Sequence, residues 1–151
     1  LEFVELLPEV ARLYHEDSAP AGGYPLILET PKFAIVHDWC DVWLRAPDRD
    51  PVSIGTHYEE PRAFVLSADG RWCASAGCGV VIYHLRDPFR PFQGGVEADQ
   101  WWEIGRDEDD PWLVDHLALL GDDRLRIVVD PDSPHGGSYD VDVTKRAIRS
   151  R

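Results

Sequence analysis

The sequence predicts an α+β fold, mainly an antiparallel sheet of the meander kind, with an N-terminal helix and a second short helix near residues 111–120. Three observations carry this. Phe3, Leu6, Leu7, Val10, Leu13 and Tyr14 recur at three- and four-residue steps, the spacing of one apolar helical stripe. From Tyr24 onward, short runs rich in Val, Ile, Phe, Tyr and Trp alternate with Pro, Gly and Asp, the pattern of strands and turns. Further on, Asp110 reads as an N-cap and Pro111 as a first helical residue, with Leu113, His116, Leu117 and Leu120 on one face before Gly121. With 151 residues, 44% of them hydrophobic, the chain has the size and the apolar material of one domain, residues 1–151.

Taken in order, the first helix should begin close to Leu7, because Pro8 fits only a first turn, and should end before Ala19-Pro20-Ala21-Gly22-Gly23. Strands are expected over Pro25 to Glu29, Lys32 to His37, Trp39 to Arg45, Val52 to Tyr58, Arg62 to Ser67, Arg71 to Ser75 and Val80 to Leu85. Asp69-Gly70 supplies the positive backbone angles of a tight hairpin turn, and Ala76-Gly77 allows a second reversal. The result is a three-stranded meander from Arg62 to Leu85. Two prolines and paired glycines make Asp87 to Gly95 a loop. After the second helix, Arg124 to Val129 and Ser138 to Thr144 close the fold. The stretch Phe64 to Trp72 resembles part of one β-propeller blade, but a propeller needs about four blades of about 40 residues and the sequence shows no repeat.

The formal net charge of −13 opposes binding to phosphate backbones and anionic bilayers, so no nucleic acid and no membrane is expected as a partner. No apolar run approaches the roughly 20 residues needed to span a bilayer as a helix. Glu2 and Glu5 stand where a signal peptide would carry positive charge. Cys40, Cys73 and Cys78 are an odd, sparse set rather than a disulfide framework. These features together lead to the expectation of a cytoplasmic protein with reduced thiols.

Chemistry-bearing residues are scattered. Cys73, Cys78 and His84 lack the paired spacing of structural zinc, and six histidines form no metal-binding motif, so neither a metal nor a cofactor is expected. Asp140 and Asp142 would project from one side of a strand, and Asp130 and Asp132 could join them at a divalent ion only if their strands pair. The nucleophile elbow, the phosphate-binding loop and the dinucleotide turn are missing from the sequence.

The distinctive stretch is Glu97 to Asp123, where ten acidic residues face Arg106 alone, so that it carries −9 of the chain's −13. Trp101, Trp102 and Trp112 lie among the acids. Tryptophan anchors interfaces, and surrounding charge steers a partner of opposite sign. The expected contact residues are Asp99, Trp101, Trp102, Glu103, Asp107, Glu108, Asp109, Asp110 and Trp112. In overall style, through its charge and this stretch and without a motif match, the chain resembles the small acidic immunity proteins of bacterial polymorphic or contact-dependent toxin systems. That resemblance implies a non-catalytic domain that occludes the basic active site of a cognate toxin. Two alternatives stand beside it: a carboxylate-based or metal-dependent hydrolase, and a carbohydrate or small-ligand binder stacking its ligand on Trp39, Trp43, Trp101 or Trp102.

Overall fold

The computed structural model describes residues 26–151, which fold entirely as β-structure. The first predicted helix, over Leu7 to Ser18, lies outside the described residues. Twelve strands form three successive four-stranded antiparallel meanders. The first sheet holds β1 (Leu26–Glu29), β2 (Ala34–Asp38), β3 (Asp41–Ala46) and β4 (Arg49–Thr56). The second holds β5 (Ala63–Leu66), β6 (Trp72–Gly77), β7 (Gly79–His84) and β8 (Trp101–Ile104). The third holds β9 (Val114–Gly121), β10 (Arg124–Val129), β11 (Gly137–Asp142) and β12 (Ala147–Ser150). Each sheet keeps its strands in chain order, so the blade-like unit seen in one place in the sequence occurs three times in the structure without sequence repetition.

The second sheet lies between the other two, and the two-residue period of a strand explains how it serves both. On one side Phe64, Leu66, Cys73, Val81, Tyr83 and Trp101 pack with Ile35, Leu44 and Ile54 of the first sheet. On the other, Val65, Trp72, Ala74, Ala76, Val80, Ile82 and Ile104 pack with Leu125, Ile127, Val129 and Val141 of the third. Strand β6 is consequently buried at every position.

The α+β expectation fails at residues 111–120, where β9 (Val114–Gly121) stands in place of a helix. The cause is a pair of register shifts against β10. Val129 pairs with Val114 but Val128 with His116, leaving Asp115 unopposed; Leu125 pairs with Leu119 but Arg124 with Gly121, leaving Leu120 unopposed. Each extra residue moves the inward-facing phase by one. Val114 and Leu117 therefore both face the core at a three-residue step, which imitates a helical stripe. The Asp69-Gly70 hairpin is present, with a division of labour between its residues: only Gly70 takes positive φ, at 73°. The Asp69 carboxylate instead accepts from the Ser67 hydroxyl at 2.8 Å and from the Arg71 amide at 3.1 Å. Burial pushes the Asp69 pKa up, but these hydrogen bonds and the Arg71 charge outweigh it and hold the carboxyl below its usual range.

Candidate protein-binding site

Loops at one end of the sheets join β2 to β3, β4 to β5, β8 to β9 and β10 to β11. Arg106 ties the β8–β9 loop to the end of β4, the β4–β5 loop and Cys78. Its Nε donates to Glu103 at 3.1 Å, one terminal nitrogen reaches His57 Nδ1 at 3.1 Å and the Cys78 carbonyl at 3.3 Å, and the other donates to the Thr56 carbonyl. Room for this side chain comes from Gly79, whose φ is +85°. A Cβ there would meet Arg106 Cδ at 2.6 Å and the carbonyl oxygens of Gly105 and Ile104 at 2.7 and 2.8 Å.

His57 is buried and its Nε2 lies 2.8 Å from the Ser75 hydroxyl, an arrangement that invites a nucleophile-and-base reading. The protonation pattern opposes it. A guanidinium has only donors, so His57 Nδ1 must accept from Arg106 and the ring proton sits on Nε2. The imidazole thus donates to Ser75 and has no free lone pair with which to take its proton. Burial first, and then the Arg106 charge, lower the His57 pKa to about 3. These groups brace the first sheet against the second.

With Arg106 turned inward, the acids after it face solvent. Asp107, Glu108, Asp109 and Asp110 are all exposed, and the turn is shaped by the Asp107 carboxylate accepting the Asp109 amide at 3.0 Å. Asp110 receives His135 Nε2 at 2.8 Å, while Trp112 stacks on Tyr139 with centroids 4.3 Å apart. Two exposed aromatics stand at this end of the sheets, and the first lies beside this turn. Tyr58, 45% exposed, donates its hydroxyl to the Arg106 carbonyl. Its pKa is raised by desolvation first, opposed by Arg106 and reinforced by the carboxylates of Glu108, Glu103 and Asp107. Trp39, 75% exposed, occupies the β2–β3 turn. The His57 amide donates to the Cys40 carbonyl at 2.8 Å, and His37 Nε2 lies 3.9 Å from Glu60, so the Trp39 turn and the Tyr58 segment adjoin.

Trp39 is also a backbone outlier. It holds φ of 57° as the first of two central hairpin residues, between the paired Asp38 and Asp41. A bulky side chain in the left-handed region costs about 1 to 3 kcal/mol, and one so exposed regains little of that by burial.

The charge is unequally shared between the two ends of the sheets. Loops at the Trp39 end carry eight acids, Glu59, Glu60, Asp107 to Asp110, Asp130 and Asp132, against Arg62 and Arg106. Loops at the opposite end carry seven acids against six bases. The acidic character therefore belongs to one end.

Of the contact residues expected from the sequence, the structure brings Asp107, Glu108, Asp109 and Asp110 together on this surface, with Glu103 and Trp112 half-buried behind them. Trp101 is elsewhere: 2% exposed, it lies in the core against Tyr83 and Phe92. Trp102 is half-buried on the opposite face of β8, and Asp99 is exposed at the other end of that strand. The sequence places Trp39 at the start of an expected strand and among the candidate stacking tryptophans, and Tyr58 at the end of a strand with no further role. The flanking Asp38 and Asp41 were the available sign that Trp39 sits in a tight turn.

The carboxylates considered for a hydrolase do not converge. Asp140 is bound by Arg126 Nε at 3.0 Å, and this hydrogen bond, against a smaller desolvation effect, lowers its pKa. Asp142 accepts the Lys145 amide at 2.9 Å. Because Val129 pairs with Gly137, Asp130 and Asp132 lie at the far end of β11 from Asp140 and Asp142, roughly 10 Å or more away at about 3.3 Å per residue. Among the described residues, no three His, Cys, Asp or Glu side chains are grouped to hold a metal ion. Cys73 is fully buried, and desolvation pushes its thiol pKa well up.

These features define a class: an all-β protein of three stacked meanders with an acidic, aromatic loop end. No protein-family profile and no curated protein matches the chain.

Proposed function

We propose that this protein is a non-catalytic binding domain that captures a cationic protein on its acidic loop end, in the manner of an immunity protein covering the active site of a cognate toxin. The observation that carries the proposal is Trp39, an exposed aromatic held at unfavourable φ in the turn between Asp38 and Asp41, at the acidic end of the sheets. Strain of this kind at an exposed position is a signature of a site kept for contact rather than for folding. Trp39 and Tyr58 supply the desolvated centre of the interface, and Asp107, Glu108 and Asp109 supply the steering rim. The inward-facing Arg106 network holds the rim in place, so little ordering is left for the moment of binding.

The test is protection of cells that express a basic toxin encoded beside this chain. The wild-type protein should restore growth, and a variant combining Trp39→Ala with Asp107→Lys and Glu108→Lys should not. Equal protection by both, at equal soluble level, would remove the acidic end from the account.

A further inference from the structure

The end opposite the acidic loops holds a cavity of about 540 Å³ between the second and third sheets. In this acidic chain its walls are unexpectedly cationic: Arg71, Arg86 and Arg146 line it together with His84 and Thr144. Two of the three guanidiniums form no ion pair among the described residues. Arg86 donates to the Asp99 carbonyl at 3.0 Å, and Arg146 donates to the carbonyls of Ala98 at 2.9 Å, Trp101 at 3.1 Å and Asp99 at 3.4 Å. Arg71, by contrast, is paired with Asp69 at 2.5 Å and Asp123 at 2.9 Å.

Arg86 and Arg146 both approach the Asp99 carbonyl oxygen, Arg146 through the longest of the three contacts of one terminal nitrogen and with its guanidinium 6.0 Å from the Trp102 ring centre. Holding two like charges on a neutral acceptor is unfavourable unless a group of opposite charge joins them. Arg146 reaches the site from the β11–β12 turn with φ of 53°, the only positive non-glycine φ besides that of Trp39 among the described residues. His84 confirms the local field: its pKa is lowered by burial first, and then by Arg86, Arg146 and Arg71, with only Asp123 opposing. Asp99 and Asp123 also line the cavity, so three guanidiniums face two carboxylates, of which Asp123 is held by Arg71.

We propose that this cavity binds the phosphate group of a phosphorylated small molecule, with Arg86 and Arg146 as its charge partners and Thr144 and His84 as hydrogen-bonding neighbours. The uncommitted nitrogens of two guanidiniums offer more donors than the two oxygens of a carboxylate can fill, and they suit the three terminal oxygens of a phosphate. A second cavity, of about 560 Å³ between the first and second sheets, shares Leu85 and Arg86 with this one and is walled by Phe33, Leu44 and Phe89. Lys32, Asp48, Arg49 and Asp87 line it as well, so it leaves room for a mixed polar and apolar body attached to the phosphate. This site is independent of the acidic end, and neither proposal requires the other.

The experiment is a titration of the full chain with inorganic phosphate, followed by amide chemical shifts, with sodium chloride at matched ionic strength as the control. Saturable shifts are expected at His84, Arg86 and Thr144, with half-saturation at or below about 1 mM, and none of them with chloride. Arg86→Ala should weaken binding by about tenfold or more. Arg146→Lys, which keeps the charge but loses the planar fork, should also weaken it while preserving the folded spectrum. Absence of saturation with phosphate, equal shifts with chloride, or unchanged affinity in folded Arg86→Ala and Arg146→Lys proteins would each overturn the proposal.

Discussion

Acidification should unfold this protein through His57 well before its carboxylates are titrated. The ring has an ordinary pKa of 6.5 in the unfolded chain and about 3 in the fold, where burial and Arg106 keep it neutral. Below about pH 6.5 the unfolded chain binds a proton that the folded protein refuses, so stability falls as pH falls, by about 1.4 kcal/mol for each unit until about pH 3. Between about pH 7 and pH 5 the contribution of His57 is therefore a loss of about 2 kcal/mol. His37 and His84 are shifted in the same direction, chiefly by burial, so the effect must be read by difference. His57→Asn keeps an acceptor for Arg106 and removes the titration. Urea unfolding of both proteins should show the variant less stable at neutral pH and the gap closing by about 2 kcal/mol at about pH 5. A gap that stays constant with pH would mean that His57 is not held neutral between Arg106 and Ser75, and the bracing of the two sheets would need another explanation.

Three further outcomes follow from the same geometry. Gly79→Ala places a Cβ against Arg106 and two carbonyls at positive φ, and should lower stability by about 3 kcal/mol in chemical denaturation. Replacing Asp69-Gly70 with Ala-Val removes both the carboxylate cap and the residue at φ of 73°; a loss of about 1 to 3 kcal/mol is expected, and an unchanged midpoint would contradict the hairpin account. Trp101→Ala should cost about 3 to 5 kcal/mol as a core deletion, seen as a large drop in thermal midpoint.

The sequence carried the strand content well because its signals were local. The observed β10 coincides with the expected Arg124 to Val129, and the expected strands from Pro25 to Leu85 each overlap an observed one. The failures have physical causes. The bulge at Asp115 in β9 gave Val114 and Leu117 a helical spacing. Strand β8 was hidden because Trp101-Trp102-Glu103-Ile104 serves two cores and a salt bridge in four residues, so no simple alternation shows. Strand β12, Ala147–Ser150, is exposed throughout and held by pairing with β11, which leaves no apolar pattern to read. For the site, the charge of Asp107 to Asp110 was legible and Trp39 was among the candidate exposed tryptophans, but Tyr58 was not legible. Local composition joins Trp101 to those acids, whereas the fold buries Trp101, brings Tyr58 to the Arg106 carbonyl beside them and sets the Trp39 turn against the Tyr58 segment.

The most direct test of the acidic end as a binding surface separates folding from contact at Trp39. Trp39→Gly relieves the positive φ and removes only an exposed side chain, so its unfolding midpoint should stay level or rise by up to about 1 kcal/mol of stability. Its complex with a basic partner protein should dissociate faster, at a cost of about 2 kcal/mol or more that changes little with salt. Charge reversal at Asp107, Glu108 and Asp109 should instead slow association, most strongly at low ionic strength, because exposed charges steer over roughly 8 Å at physiological salt. Stopped-flow kinetics at two salt concentrations measures both. The account predicts those two opposite signatures from two variants that both remain folded, and unaltered rates in both would contradict it.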